Sequence, residues 1–186
     1  GDESALAALD EASEAARILP GTGWRKRLNE ASPAGPAEVF FATVREAVYS
    51  RVSSPDSLYD LQAELYPAPE AVIKAGLEFK NSLDQLSDPL IRLAKYLQSL
   101  LDDEAEKLDS QVRNRIEGAA RSLLRRASGP VASWLVMLDD LTGNGRDGFI
   151  DWMQIDRRDS KETDLGLLRH WLDPTVPFAQ QVLSTA

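Results

Sequence analysis

The 186-residue chain has no cysteine and a single histidine, His170. Without a thiol there is no disulfide, no thiolate nucleophile, and no cysteine-ligated zinc or iron–sulfur site within these residues. One imidazole with no second histidine or cysteine does not complete a typical metal site, and a general base needs a positioned partner. His170 stands beside Trp171 in a strand-like stretch, so packing or a backbone hydrogen bond is its expected role. Long apolar runs are missing as well. No segment approaches the ~20 residues that cross a bilayer, and no signal-peptide pattern opens the chain, so the cytoplasm is the expected compartment. Positive charge is in deficit: 21 Lys and Arg face 30 Asp and Glu, a formal net charge of −9. That balance opposes a dedicated nucleic-acid binder, whose footprint is basic.

What remains reads as one domain, 1–186, long enough to bury a core of its own. Residues 4–19 are Ala/Glu-rich and helical, closed by Pro20-Gly21. Pro36 suits a helix start, and Val39, Phe40, Thr43, Val44, Ala47 and Val48 repeat at helical spacing. Tyr59 to Tyr66 alternates weakly, as a short strand or an extended linker. Val72, Ile73, Gly76, Phe79, Leu83 and Leu86 trace one helix face. Asp88-Pro89 then has the form of an N-cap followed by proline at N1, which predicts a new helix carrying Leu90, Leu93, Ala94, Leu97, Leu100 and Leu101. Asp109 can cap a third helix, and Gly129-Pro130 should kink or break it before Val131 to Leu138. Such apolar seams need partner helices, which predicts a mainly α fold, an antiparallel helical bundle over 1–141. Two alternating segments joined by Arg158-Asp159-Ser160-Lys161 predict one C-terminal β-hairpin. With a return segment ending in a short helix over 176–183, it spans 149–186. Two strands alone are marginal, so the chain reads as a piece of a larger protein.

Several motifs imitate chemistry. Gly143-Asn144-Gly145-Arg146-Asp147-Gly148 spells G-x-G-x-x-G, yet a helix precedes it and a strand follows, the reverse of a dinucleotide site. A helix-to-strand loop is the better reading. Counted from Asp140 the same stretch mimics a calcium loop, but its eighth position is Asp147 and its twelfth is Asp151 where a bidentate Glu belongs. Gly21-Thr22-Gly23-Trp24-Arg25-Lys26 lacks the spacing and the Ser/Thr of a phosphate loop. The acidic run Asp102, Asp103, Glu104, Glu106 reads as a solvated helix end, because nothing would bury these carboxylates and separate their pKa values. No catalytic, cofactor-binding or metal-ligating residue is therefore assigned.

The basic stretch Arg113, Arg115, Arg121, Arg125, Arg126 carries more weight. Arg121 and Arg125 are four apart and share a helix face, where they could meet the phosphates of a passing single strand. The plainer reading pairs these arginines with Glu117 and with acids of neighbouring helices. Trp24 beside Arg25-Lys26-Arg27 is a second candidate, a stacking ring next to positive charge.

Arg169-His170-Trp171-Leu172-Asp173-Pro174-Thr175-Val176-Pro177-Phe178-Ala179 resembles the stretch just before motif III of DinG/XPD-type DNA helicases. Leu19-Pro20-Gly21-Thr22-Gly23-Trp24 and Leu100-Leu101-Asp102-Asp103-Glu104-Ala105 also look like bacterial members of that family. The resemblance implies the insertion between motifs II and III, called the arch domain in the XPD relatives. There it arches over the first motor domain and helps form the passage for the translocated strand. It implies steric and electrostatic guidance of single-stranded DNA, the motor domains of the same parent chain as partners, and 5′-to-3′ polarity for the parent. ATP and Mg would belong to that parent, whose phosphate-binding lysine and Asp-Glu-x-His motif are not in these residues. A net negative charge weighs less against a domain lining one side of a DNA path than against an autonomous binder. The alternative from another class is a free-standing helical adaptor for protein partners. A third is a small calcium-responsive module built on Asp140 to Asp151.

Overall fold

The computed structural model describes residues 2–104 and 107–179. In chain order the elements are α1 (Asp2–Ala15), α2 (Trp24–Asn29), α3 (Gly35–Arg51), β1 (Leu61–Glu64), α4 (Glu70–Asp103), α5 (Ser110–Arg126), α6 (Ala132–Asp140), β2 (Phe149–Arg158), β3 (Lys161–Trp171) and α7 (Thr175–Phe178). The protein is mainly helical, with one small antiparallel sheet. The expected extension of the last helix to Leu183 lies outside the described residues. The chain forms two compact units: Gly1–Thr22, Gly35–Ala37 and Leu77–Asp139, and Gly23–Ala34, Glu38–Gly76 and Asp140–Ala186.

The first unit is helical, and α4 is the element its neighbours share. Phe79, Leu83, Leu86, Leu93 and Ala94 are all buried along one stripe. Phe79 meets Trp134 of α6 edge-on at 5.9 Å, and Lys80 pairs with Asp139 at 3.0 Å. Glu11 of α1 pairs with Arg92. The expected restart at Asp88-Pro89 does not occur: α4 runs through Pro89 without a break. An interior proline loses one hydrogen bond and crowds the preceding turn, at about 3 kcal/mol. Two buried leucines before it and Leu93 and Ala94 after it share one stripe. Each large apolar side chain kept in register is worth about 1.5–3 kcal/mol, which outweighs the proline penalty.

Asp109 caps α5 as expected, its carboxylate accepting from the Gln111 and Val112 amides at 2.8 and 3.0 Å. Gly129-Pro130 does not sever the helix. It is absorbed in a π-helical turn, Ala127–Val131, that links α5 to α6. The wider turn accommodates a residue without an amide proton.

α3 begins at Gly35-Pro36, and its residues from Glu38 onward belong to the second unit, where Phe40, Val44 and Val48 are buried, one per turn. The segment read as strand or linker is β1, so the hairpin becomes a three-stranded antiparallel sheet in the order β1-β2-β3. Its buried residues form rows across the strands. Leu61 pairs with Ile155 and Ile155 with Leu165; Ala63 pairs with Met153 and Met153 with Leu167. Asp159 and Ser160 make the two-residue turn, both at positive φ (51° and 63°), the sense that matches strand twist. The register shifts between Asp156 and Arg157, leaving Thr163 unpaired in β3.

Candidate functional site

The Asp109 cap sets where α5 begins and hence which residues face outward. Ala120 and Ala127 are buried, whereas Arg113, Arg115, Arg121, Arg125 and Arg126 are exposed. Arg121 bonds Glu117 one turn back, as the plainer reading requires. Arg126 donates to the Ser122 hydroxyl at 2.8 Å. Among the described residues, no carboxylate lies within 4.0 Å of Arg113, Arg115, Arg125 or Arg126. The helix thus carries five arginines against one glutamate, four of them without an acidic partner among the described residues. Arg121 and Arg125 border a groove of about 480 Å³ between α4 and α5, with Leu101, Ala120 and Leu124 among its apolar lining.

Trp24 and Arg25 belong to the other compact unit. The Trp24 ring is half-buried against Phe41, centroids 5.5 Å apart, and Arg25 donates to the Thr163 carbonyl at the bulge in β3. Their neighbour Arg27 grips buried Glu38 through two nitrogens, and Glu38 also accepts from the Ala34 amide at 2.9 Å. The Trp24 ring, Arg25 and Arg27 are engaged in holding α2 to α3 and β3, and Lys26 pairs locally with Glu30 at 3.7 Å. The five candidates therefore divide: Arg113, Arg121 and Arg125 share one exposed helix of the first unit, and Trp24 and Arg25 belong to the second.

The 143–148 segment is an exposed helix-to-strand loop, as read from the sequence. Gly145 sits at φ +91°, and a Cβ there would come within 2.9 Å of the Tyr66 ring. Close approach to Tyr66 accounts for that glycine, with no helix N-terminus following to face a phosphate. The ligands a calcium loop would need are committed elsewhere. Asp151 takes two bonds from Arg169, both 2.7 Å, and Asp140 meets Arg169 at 2.8 Å and Arg146 at 3.2 Å. The Tyr66 hydroxyl lies 3.2 Å from the Asp151 carboxylate and 3.3 Å from the Asp140 carbonyl. Burial, reinforced by Asp151, pushes the Tyr66 phenol up to about 12, and the hydrogen bonds that Arg169 donates to Asp151 raise Arg169 above its ordinary value. Among the described residues, no group of three His, Asp or Glu is arranged to hold a metal ion.

Sequence reasoning missed this cluster, although the signal was present. Asp151 shares the inward parity of Met153 and Ile155, and a carboxylate in such a column demands a partner. The residue directly across is Arg169. A second network ties α3 to the hairpin. Arg45 holds Glu162 through both nitrogens at 2.9 Å, Tyr49 donates to Glu162 at 2.5 Å, and Arg157 donates to the Tyr49 oxygen at 2.6 Å. Burial would push the Glu162 carboxyl up, but Arg45 and Tyr49 together hold it below the usual range. His170 packs as expected, its ring 4.8 Å from Trp152. Asp102 and Asp103 are exposed at the end of α4, and Asp103 accepts from Ser99 at 3.1 Å; Glu106 lies outside the described residues. No known protein family, no curated protein and no solved structure matches this chain.

Proposed function

We propose that the chain is an arch-like insertion domain of a DinG/XPD-type ATP-dependent DNA helicase. In this reading it steers single-stranded DNA past the motor domains of the same parent, in the cytoplasm, and does no bond chemistry itself. The family reading rests on the 169–179 string, and the role on one observation: four exposed arginines of α5 that face no carboxylate among the described residues. Such guanidinium groups on one helix attract phosphates, and binding there releases counterions from the strand. The net charge of −9 keeps that attraction local. At physiological salt a strand is held only while motor domains supply it at high effective concentration, which suits guidance better than capture.

The test is anisotropy of a labelled oligothymidine with the chain at about 20 mM salt, where electrostatic attraction is least screened. Arg121→Glu with Arg125→Glu should weaken binding by about tenfold or more and flatten the log–log salt dependence by ~0.7 for each phosphate no longer neutralised. Unchanged affinity would remove the DNA role. The family half has its own check: the gene beyond Ala186 should encode Ser-Ala-Thr within about a dozen residues. A stop codon directly after Ala186 would favour the free-standing adaptor instead.

A further inference from the structure

Ser128 follows Arg125-Arg126-Ala127 and is exposed. Its hydroxyl donates to the Leu124 carbonyl at 2.7 Å, a bond back to the preceding turn of its own helix. It sits in the π-helical turn Ala127–Val131, next to Gly129 and Pro130, the two poorest helix formers. A Cβ on Gly129 would meet nothing within 4 Å, so packing does not demand the glycine there. Ser128 also lines the groove that holds Arg121 and Arg125.

From this arrangement we infer that Ser128 is a phosphoacceptor for a basophilic serine/threonine kinase, and that its phosphate closes the arginine face of α5. The second half rests on the reading of α5 as a polyanion-binding face. Three features converge. Arginines two and three residues before the serine present a paired cationic determinant that an acidic kinase groove can read. A kinase takes the acceptor segment in extended form, and a π turn containing glycine and proline opens more readily than regular helix. Finally, a phosphate on Ser128 adds about −1.5 to −2 charges in the groove beside Arg121 and Arg125, one turn from Arg125 itself. In the transfer, Ser128 Oγ attacks the γ-phosphorus of ATP. The Oγ–P bond forms, the bond from that phosphorus to the β–γ bridging oxygen breaks, ADP leaves with the electron pair, and the hydroxyl proton passes to the kinase's base. The new phosphate then occupies guanidinium groups that a DNA phosphate would need.

Ser160 has the same spacing after Arg157-Arg158 and serves as the internal comparison. There Arg157 is already held by the Tyr49 oxygen and the Ser57 carbonyl, and Asp159 places a carboxylate next to the acceptor.

The experiment treats the whole chain with the catalytic subunit of a cAMP-dependent kinase and Mg-ATP, maps the phosphate by tandem mass spectrometry, and compares elution from heparin, a polyanion. Phosphate is expected on Ser128 and not on Ser160, with none at that site in Ser128→Ala, and the phosphoprotein should leave heparin at lower salt. Replacing Gly129 and Pro130 with alanine should slow incorporation by about threefold or more by stiffening the turn, with heparin elution of the unmodified protein unchanged. Phosphate confined to Ser160, or no incorporation, overturns the site. A phosphoprotein that elutes with the unmodified chain while Arg121→Glu/Arg125→Glu elutes early overturns the gating alone. If that double variant also elutes unchanged, the reading of α5 fails and takes the gating with it.

Discussion

Arg169 shows most plainly how a single residue can be fixed by what it neutralises. It reaches Asp151 with two nitrogens and Asp140 with a third, and its guanidinium lies 5.2 Å from the Phe149 ring. Arg169→Ala would leave Asp151 buried without its guanidinium, which costs about 3–5 kcal/mol for a broken buried pair. Urea unfolding should show that loss, and a change under about 1 kcal/mol would mean that water already serves Asp151. Glu162 gives a pH dependence with a definite sign. Its folded pKa is held below the unfolded value, so its contribution is present above about pH 4.3 and drains away as pH falls further. The Glu162→Gln variant should therefore start less stable near neutrality and lose less between about pH 5 and pH 3, read as a shallower fall of Tm with acid. Parallel Tm curves for the two proteins would show that the Arg45 pairing is fully screened.

At the scale of elements, legibility followed the local physics. Helices with a sustained apolar period were readable, as were the Asp109 cap, the Pro36 start and the alternating hairpin strands. Each of these signals lies within one turn or one strand pair. At Pro89 the local rule yields to the stripe that runs across it, since burial of Leu83, Leu86, Leu93 and Ala94 is a property of the assembled unit. β1 was ambiguous for a related reason: four residues with the pattern Leu61-Gln62-Ala63-Glu64 acquire strand identity only from β2, against which all four are paired. Of the site candidates, the α5 arginines could be placed on one helix from spacing alone. The engagement of Trp24 with Phe41 and of Arg25 with Thr163 depended on tertiary neighbours that no spacing reveals. The cap itself can be measured. Asp109→Ala removes an acceptor for two amides and should cost about 1 kcal/mol, with hydrogen exchange accelerated first at Gln111 and Val112. Uniform acceleration across the chain would contradict a local cap.

At the scale of the molecule, charge and connectivity pull in separate directions. A chain of net charge −9 repels a polyanion at distance, so the α5 arginines act only within about a Debye length, roughly 8 Å at physiological salt. Binding by the isolated chain should accordingly fade well before that ionic strength is reached. Connectivity has a consequence for biosynthesis. The helical unit has its last residue at Asp139, whereas the other unit draws on 23–34, 38–76 and 140–186. On the ribosome, the helical unit can therefore close while β1 still lacks β2, the strand it pairs with. At about 5–20 residues per second, the interval between emergence of Glu64 and of Trp171 is on the order of 5–20 s. Throughout it, Phe40, Val44 and Val48 are made but have no finished core to enter, which marks α3 as the stretch where a nascent-chain chaperone would be needed most.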